Sequence, residues 1–304
     1  MTPDASTSSQ SYVADPRNNR VHIYVNGQFC KRDEAKVSIF DAGFVLGDGV
    51  WEGLRLINGK LLALDDHMDR LYEGANAIQL DIGMDRETLI REIRRTLDHH
   101  GMTDGVHIRL MITRGLKSTV NQDPRFITGG PTVVIVAEYK QPNPELKARG
   151  LKLMTSTIRC STPDVFDLRL NSHSRLNFIQ ALIQAINMGA DEALMLDDRG
   201  FVASCNSTNF FVFRGDELWT SSGACCFNGI TRKTVIRLWR EAGFTVREGD
   251  FTLAETYAAD EAFVTGTLGG ITPVSMIDGR PVGQGLPGAM TTRLMDLYDA
   301  YLAA

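Results

Sequence analysis

Three segments of the sequence combine glycine, hydroxyl and cationic residues in a way that could bind an anion. Asn228-Gly229-Ile230-Thr231 opens a predicted helix, whose first-turn N–H groups lack intrahelical partners and form the positive end of the helix dipole. The loop Thr265–Gly270 follows a predicted strand and offers backbone amides and two hydroxyls. Arg55, in a strand after a glycine-rich loop, could supply a fixed cation. Taken singly, each segment is also typical of a capped helix, a flexible turn or a surface salt bridge.

The elements that must position these residues are predicted first for the N-terminal half. Asn26-Gly27 and Asn58-Gly59 favour two tight hairpins, because both residue types accept positive φ. Periodicity and alternation then predict the following elements: strands 21–25, 28–29, 37–40, 54–57, 60–64, 106–113 and 132–138, and helices 65–77 and 86–99.

The C-terminal half follows a proline-containing segment, residues 141–149, which is typical of a linker. Its first strand is predicted at 151–155. A helix at 176–188 is predicted to turn Leu176, Ile179, Ile183 and Ile186 inward. Short strands with tight turns over 192–220 favour an antiparallel sheet or barrel, and further helices are predicted at 231–242 and 289–302. The expected fold is α+β: a mobile tail at 1–20, a small N-terminal domain at 21–140, the linker, and a larger C-terminal domain at 150–304.

Composition excludes several classes of protein. The net charge of -5 argues against a nucleic-acid binder, which needs a basic face. No apolar run approaches the roughly 20 residues that span a bilayer, and residues 1–20 lack the apolar stretch of a signal peptide. The five cysteines match neither a disulfide framework nor a zinc site. We therefore expect a cytoplasmic protein without a membrane or nucleic-acid partner and without a metal.

The order of the motifs, from about Val21 to the C-terminus, resembles the class IV aminotransferases. This family includes branched-chain and D-amino-acid aminotransferases with the pyridoxal-phosphate (PLP) fold of type IV. The matching stretches are Asp41-Ala42-Gly43-Phe44, Gly49-Val50-Trp51-Glu52-Gly53-Leu54-Arg55, Asp66-His67-Met68-Asp69-Arg70-Leu71, residues 189–197, Asn209-Phe210-Phe211, Gly229-Ile230-Thr231-Arg232, Gly266-Thr267 and Ile271-Thr272-Pro273-Val274.

The resemblance implies two domains with PLP between them, a homodimer, and a small amino or keto acid as the substrate. It also implies how the cofactor phosphate is held: by Arg55, by the amides and hydroxyl at Ile230 and Thr231 after Gly229, and by Thr267 after Gly266. All these residues are present. We refer to them as the phosphate cup.

The sequence departs from the family at the residues that act on the cofactor ring. The family's Schiff-base lysine lies three or four residues before an asparagine that matches Asn177, and those positions hold Ser174 and His173. No lysine occurs between Lys152 and Lys233. The glutamate that pairs with the pyridine nitrogen is replaced by Ser204. Since the lysine both holds the aldehyde and carries the proton, ordinary transamination is not expected.

Three hypotheses follow. In the first and favoured one, the protein is an aminotransferase-like enzyme that binds PLP non-covalently, with His173 as a substitute base. In the second, a PLP-independent enzyme uses the cup for another phosphorylated or carboxylate ligand, and His173, Ser174, Ser204 and Cys205 line the emptied ring site, where a serine or cysteine could act as nucleophile. In the third, the protein is a non-catalytic homologue that binds a ligand.

Overall fold

The computed structural model describes residues 8–283 and 286–303, and the chain divides into two units. The N-terminal unit comprises Ala14–Gln141 and the short segment Leu170–Arg175. The C-terminal unit comprises residues 8–13, Pro142–Arg169 and the chain from Leu176 onward. The segment predicted as a linker is a two-residue strand, β8 (Gln141–Pro142), followed by helix α4 (Pro144–Arg149).

The N-terminal unit contains one six-stranded sheet and three α-helices. Its elements are β2 (His22–Val25), β3 (Gln28–Lys31), α1 (Ala42–Leu46), β4 (Gly49–Ile57), β5 (Lys60–Leu61), α2 (Leu64–Ala77), α3 (Arg86–His99), β6 (Val106–Thr113) and β7 (Thr132–Tyr139), with 3-10 helices at Pro16–Arg20 and Pro124–Phe126. The strand order is β3-β2-β7-β6-β4-β5. The predicted hairpins are confirmed, with Asn26 and Asn58 at φ 47° and 50°.

One face of this sheet packs against α2 and α3 to form the core of the unit. Strand β6 alternates buried and half-buried residues, so Ile108 and Leu110 face the core while Arg109 lies on the opposite face. The predicted helices 65–77 and 86–99 and the strands 106–113 and 132–138 are confirmed to within one residue. The amphipathic pattern is clear in these elements because each has a single buried face.

Residues 37–40, all of which the structure describes, do not form the predicted strand, so this prediction is wrong. Val37, Ile39 and Phe40 lie in an irregular segment and are 47, 66 and 40% exposed. Asp41 then caps α1 by accepting a hydrogen bond from the Gly43 N–H at 2.8 Å. The apolar residues give the segment the composition of a strand. Within the described chain, however, no neighbouring strand forms a ladder of backbone hydrogen bonds with it.

The C-terminal unit contains a nine-stranded sheet with helices α5 to α8. Its elements are β9 (Leu151–Thr155), α5 (Leu176–Asn187), β10 (Glu192–Leu196), β11 (Val202–Cys205), β12 (Asn209–Arg214), β13 (Glu217–Thr220), α6 (Ile230–Glu241), β14 (Val246–Glu248), α7 (Leu253–Tyr257), β15 (Glu261–Gly266), β16 (Gly270–Ile277), β17 (Arg280–Pro281) and α8 (Ala289–Ala303). The strand order is β11-β10-β9-β16-β15-β12-β13-β14, with β17 beside β16. The sheet is mixed, because β9 pairs parallel with both β10 and β16.

The helix α5 forms where it was predicted but presents the opposite face to the core. Phe178, Ala181 and Ala185 are buried against the sheet. The residues predicted to face inward, Leu176, Ile179, Ile183 and Ile186, are 67, 52, 49 and 39% exposed. That prediction is wrong because two alanines allow a close approach to the sheet, which leaves the larger side chains outside. We call these four residues the α5 apolar face.

Part of the predicted tail is structured. Residues 1–7 lie outside the described residues, while Tyr12–Val13 forms β1 and Pro16–Arg20 forms a 3-10 helix. Asn18 is buried, where its Nδ2 donates to the Tyr139 carbonyl and its Oδ1 accepts from the Tyr139 N–H. In residues 8–283 and 286–303, no helix has both the length and the apolar content needed to cross a membrane.

Candidate functional site

The N-terminus of α6 lies in the C-terminal unit and has the features of an anion site. Gly229 is the N-cap residue and has no side chain with which to cap the first turn. Ile230 and Thr231 follow at the start of the helix, both largely buried. The amides of this turn and the Thr231 hydroxyl are therefore available to an anion at the positive end of a 12-residue helix.

Asn209, the first residue of β12, fixes the loop that leads into α6. Its Oδ1 accepts from the Gly229 N–H at 3.2 Å, and its Nδ2 donates to the Phe227 carbonyl at 2.7 Å. A Cβ at position 229 would clash with Asn209 Oδ1, so glycine at this position allows the Asn209 side chain to keep its place. The asparagine thus couples the sheet to the start of the helix.

The second loop of the cup lies at the same end of the sheet. Asn209 is opposite Thr265 in the register of β12 and β15, and Gly266 pairs with Gly270 to close the turn that contains Thr267. The buried Oγ1 of Thr265 has no hydrogen-bond partner among the described residues. The structure therefore brings the α6 N-terminus and the Thr267 turn to neighbouring strand ends.

Ser204 and Cys205, on β11, differ in their surroundings. Ser204 Oγ donates to the Thr208 carbonyl at 2.8 Å and lies 3.4 Å from Asn209 Nδ2, so it supports the residue that holds the loop. Cys205 packs in a core cluster, and burial, followed by the charge of Glu192, raises the pKa of its thiol far above the ordinary range. A buried neutral thiol is a poor nucleophile, which argues against a catalytic role for Cys205.

Arg55, the remaining cup residue, belongs to the N-terminal unit. It lies on β4 opposite His107 of β6, and it is only 8% exposed. Gly53 lies opposite Arg109 in the same register, so Arg55 and Arg109 point from one face of the sheet. The guanidinium carbon of Arg109 stands 3.2 Å from the centre of the Trp51 ring, in a cation–π contact.

The positions that match the family's lysine also lie in the N-terminal unit. The segment Leu170–Arg175 runs along β4: the His173 N–H donates to the Gly49 carbonyl at 3.0 Å, and the Trp51 N–H donates to the Asn171 carbonyl at 2.9 Å. Ser174 is exposed, with Oγ 3.4 Å from the Gly47 carbonyl. The buried Nε2 of His173 has no hydrogen-bond partner in the described part of the chain.

Positive charge dominates this part of the N-terminal unit. Burial, with smaller contributions from Arg109 and Arg175, lowers the pKa of His173 to about 4. Burial lowers the pKa of Arg109 to about 10. Burial, followed by the charges of Arg109 and Arg70, also lowers the pKa of Arg175 to about 10. His173 is therefore neutral at pH 7. Crowded, desolvated guanidinium groups are stabilised when an anion binds among them.

The buried carboxylate of Glu52 holds the side chains of Arg70 and His67 in place. Its two oxygens accept hydrogen bonds from Arg70 Nε at 2.8 Å and Arg70 Nη2 at 2.7 Å, and His67 Nδ1 lies 2.6 Å away. The motif residues Glu52, His67 and Arg70 therefore join β4 to α2, which is a structural role within the unit.

Sequence reasoning did not assign Arg109, Arg175 and Asn209 to the site. A signal exists for Arg109, because a charged residue interrupts the apolar strand Val106–Thr113. For Asn209 the signal is its place in a motif, since its contacts with Gly229 are made 20 residues away along the chain. Arg175 was considered only as the nearest cation to the missing lysine.

The residues present fit the phosphate of PLP, but they do not fit its usual covalent attachment. The N-terminus of α6 suits a phosphate, because a glycine precedes its first turn and the N–H groups of that turn lack intrahelical partners. His173 and Ser174, at the lysine position, offer an imidazole and a hydroxyl, and neither forms an imine. Ser204 offers a hydroxyl where the family has a carboxylate.

The chain is similar to known proteins over most of its length. The family model described as Amino-transferase class IV matches residues 49–277. The chain is 40% identical over 294 residues to "Branched-chain-amino-acid aminotransferase-like protein 2" of Arabidopsis thaliana, covering 97% of this chain and 52% of the relative. It is 31% identical over 284 residues to "Branched-chain-amino-acid aminotransferase" of Pseudomonas aeruginosa, covering 91% of both. The chain thus spans about half the length of the Arabidopsis relative.

A solved structure shows the same fold. It is an aminotransferase from Brucella abortus bound to the co-factor PLP, which matches with a TM-score of 0.81 and 27% identity. The match covers 93% of this chain and 99% of that one. The α+β fold that the resemblance to the class IV aminotransferases predicts is therefore confirmed.

Proposed function

Since the chain belongs to the class IV aminotransferases, we propose that it binds PLP non-covalently and acts, as an atypical aminotransferase-like enzyme, on a small amino or keto acid. The first turn of α6, preceded by a glycine whose N–H is held by Asn209, carries this proposal. Ile230 and Thr231 would hold the cofactor phosphate there, with Thr267 and Arg55. When bound, PLP supplies an electrophilic aldehyde and an electron sink to a substrate amine.

His173 is the proton-carrying residue in this proposal. Its buried Nε2 has no hydrogen-bond partner among the described residues, and its pKa of about 4 keeps the imidazole neutral at pH 7. Arg109 and Arg175 oppose its protonation, so His173 is a weaker base than an ordinary histidine. We therefore propose slow proton transfer rather than the turnover of a lysine-dependent enzyme.

Arg109 is the residue that we propose to bind the substrate carboxylate. It is stacked on Trp51, and burial lowers its pKa, as expected for a guanidinium held away from water. Its face of the sheet also carries Arg55. The relatives named as branched-chain-amino-acid aminotransferases support an amino or keto acid as the class of substrate.

We further propose that the protein is a homodimer, and the α5 apolar face supports this. Four large apolar side chains lie side by side on one exposed helix face, and Met188, just beyond the helix, is 73% exposed. Contiguous apolar patches on a folded unit are typical of protein interfaces. A second copy of the chain would remove this surface from water.

The proposed function can be tested by a titration of the purified chain with PLP. We expect a saturable absorbance band close to that of the free aldehyde, which dialysis removes. Borohydride treatment followed by intact-mass measurement is expected to show no covalent adduct. An adduct mapped to a lysine peptide would contradict non-covalent binding. An absence of any binding would exclude PLP and favour another anionic ligand for the cup, which a parallel titration with inorganic phosphate would detect.

A further inference from the structure

Three of the six histidines form an accessible cluster in the N-terminal unit. His22 is the first residue of β2, His99 is the last residue of α3, and His100 follows directly. His22 Nδ1 and His99 Nε2 are 3.2 Å apart, and one ligand nitrogen from each of the three residues lies within 4.8 Å of the others. The proposed function uses none of these residues.

We propose that His22, His99 and His100 form a binding site for a divalent transition metal of the Zn²⁺ class, with water completing the coordination. Imidazole nitrogen is a preferred ligand of Zn²⁺, whereas Ca²⁺ and Mg²⁺ prefer oxygen. Zn–N bonds of about 2.0–2.1 Å in a tetrahedral site separate two ligand nitrogens by about 3.3 Å. The separation of 3.2 Å between His22 Nδ1 and His99 Nε2 matches this value.

Neighbouring groups hold two of the imidazole rings in place. The ring of Phe29 stacks on that of His99, with centroids 4.0 Å apart and an interplanar angle of 7°. His100 Nε2 lies 3.1 Å from the His22 carbonyl oxygen and 3.2 Å from the His22 backbone nitrogen. It accepts from this N–H in one tautomer and donates to the carbonyl in the tautomer protonated at Nε2. Metal binding through Nδ1 would select the second tautomer, which has its lone pair on Nδ1. A second ring nitrogen bonded to a backbone carbonyl is the usual support of a metal-binding histidine.

The position of the cluster at a helix end also favours a cation. His99 ends α3 and His100 caps it, with the His100 N–H donating to the Leu97 carbonyl at 3.1 Å. The C-terminus of a helix carries the negative end of the macrodipole, which stabilises positive charge within the last turn. The cluster therefore combines three metal-binding side chains with a favourable field.

A bound metal would join the beginning of the sheet to the end of α3. Since the ligands come from β2 and α3, the site is complete only in the folded unit. A ligand that binds only the folded state raises its stability by mass action. Zn²⁺ should therefore raise the unfolding temperature of the N-terminal unit, by an amount that grows with the logarithm of the ratio of Zn²⁺ concentration to Kd.

The experiment uses the full chain without a polyhistidine tag, treated with a chelator and then titrated with Co²⁺ and, by calorimetry, with Zn²⁺. We expect one equivalent of each metal to bind, with visible absorbance of Co²⁺ in nitrogen coordination. His99→Gln and His22→Gln should each lower the Zn²⁺ affinity by more than the roughly 10–100-fold typical of losing only a supporting residue. Arg94→Gln, exposed on the same helix, is the matched control and should bind as the wild type does.

Two results would overturn the proposal: no binding of either metal to the wild type, or equal binding by His99→Gln. Asp197, Asp198 and Cys225 form a second group that could hold an ion, and Cys225→Ser separates the two sites. Metal binding that survives His99→Gln and His22→Gln but is lost in Cys225→Ser would place the metal there and contradict the histidine site.

Discussion

Asn209 Oδ1 accepts a hydrogen bond from the Gly229 N–H, so one residue at the start of β12 sets the beginning of α6. The same side chain donates to the Phe227 carbonyl, two residues earlier in the loop. The phosphate cup therefore depends on a contact between residues 20 positions apart. Its geometry is determined by the sheet rather than by the loop alone.

Replacing Asn209 with alanine should weaken both the cup and the fold. The substitution removes both hydrogen bonds of the Asn209 side chain, whereas the Gly229 N–H keeps its bond to the Phe227 carbonyl at 3.1 Å. At about 1 kcal/mol for each net hydrogen bond, we expect a loss of about 2 kcal/mol in the free energy of unfolding. We expect the affinity for PLP to fall by about fivefold, since one net hydrogen bond is worth about 1 kcal/mol. Asn209→Asp keeps an oxygen that accepts from the Gly229 N–H, so it should lose less affinity for PLP and less stability than Asn209→Ala. Equal affinity in all three proteins, measured by titration, would contradict this role.

Replacing Arg55 with alanine should abolish detectable binding of PLP or inorganic phosphate. Arg55 is a buried cation assigned to the phosphate, and a charge-assisted hydrogen bond is about twice as strong as a neutral one. Arg55→Lys keeps the charge but loses the planar fork, so its affinity should be intermediate. The exposed Arg94→Gln is the control. Unchanged affinity in Arg55→Ala would remove Arg55 from the cup.

Replacing Glu52 with glutamine should destabilise the N-terminal unit by about 3 kcal/mol, because it removes the fully buried carboxylate that pairs with the half-buried guanidinium of Arg70. Denaturant unfolding measures the loss. Glu34→Gln is the control, since Glu34 forms an exposed pair with Lys31 at 3.6 Å, and it should change stability by less than about 0.5 kcal/mol. A similar effect of both substitutions would argue against a special role for the buried pair.

Replacing His173 with glutamine should change how stability depends on pH. The pKa of His173 is about 4 in the folded chain and about 6.5 in the unfolded chain, so between these values the unfolded chain binds more protons. The contribution of His173 to stability is therefore complete above pH 6.5 and is lost as the pH falls toward 4. The difference in unfolding free energy between wild type and variant should grow by about 2 kcal/mol from about pH 4.5 to pH 7. A constant difference would show that the pKa of His173 is not lowered.

Replacing Ile183 with aspartate should dissociate the proposed homodimer and leave the monomer folded. Ile183 is 49% exposed, so little core packing is lost, while a charge enters the centre of the α5 apolar face. Sedimentation or light scattering measures the change in mass. Val165→Asp is the control, because Val165 is 75% exposed and lies outside α5. A wild-type protein that is monomeric at micromolar concentration would exclude the dimer.

The features that the sequence predicts well are those that local chemistry determines. The Asn-Gly turns place Asn26 and Asn58 at positive φ without help from distant residues. The amphipathic pattern of Arg86–His99 identifies its buried face, because only one face of α3 is apolar. The motif around Gly229 likewise locates the N-terminus of α6 to within one residue, since the helix predicted from residue 231 begins at Ile230.

The features that the sequence does not predict depend on partners distant along the chain. The apolar stripe of α5 is visible in the sequence, but which face the sheet covers depends on the close approach that Ala181 and Ala185 allow. Arg109 becomes part of the cationic region only through its register with β4 and its contact with Trp51. The place of His173 beside Gly49 joins two residues that are far apart along the chain.

The segment Leu170–Arg175 has a consequence for how the polypeptide can be divided. It bonds to the backbone of Gly49 and Trp51 on β4, and the Trp51 indole N–H also donates to the Ser172 carbonyl at 3.0 Å. Proteolytic nicking between residues 142 and 149 should therefore yield two fragments that stay associated and co-elute. A recombinant fragment of residues 14–141 alone would expose that strand edge, and it should aggregate unless a peptide of residues 168–177 is supplied in trans.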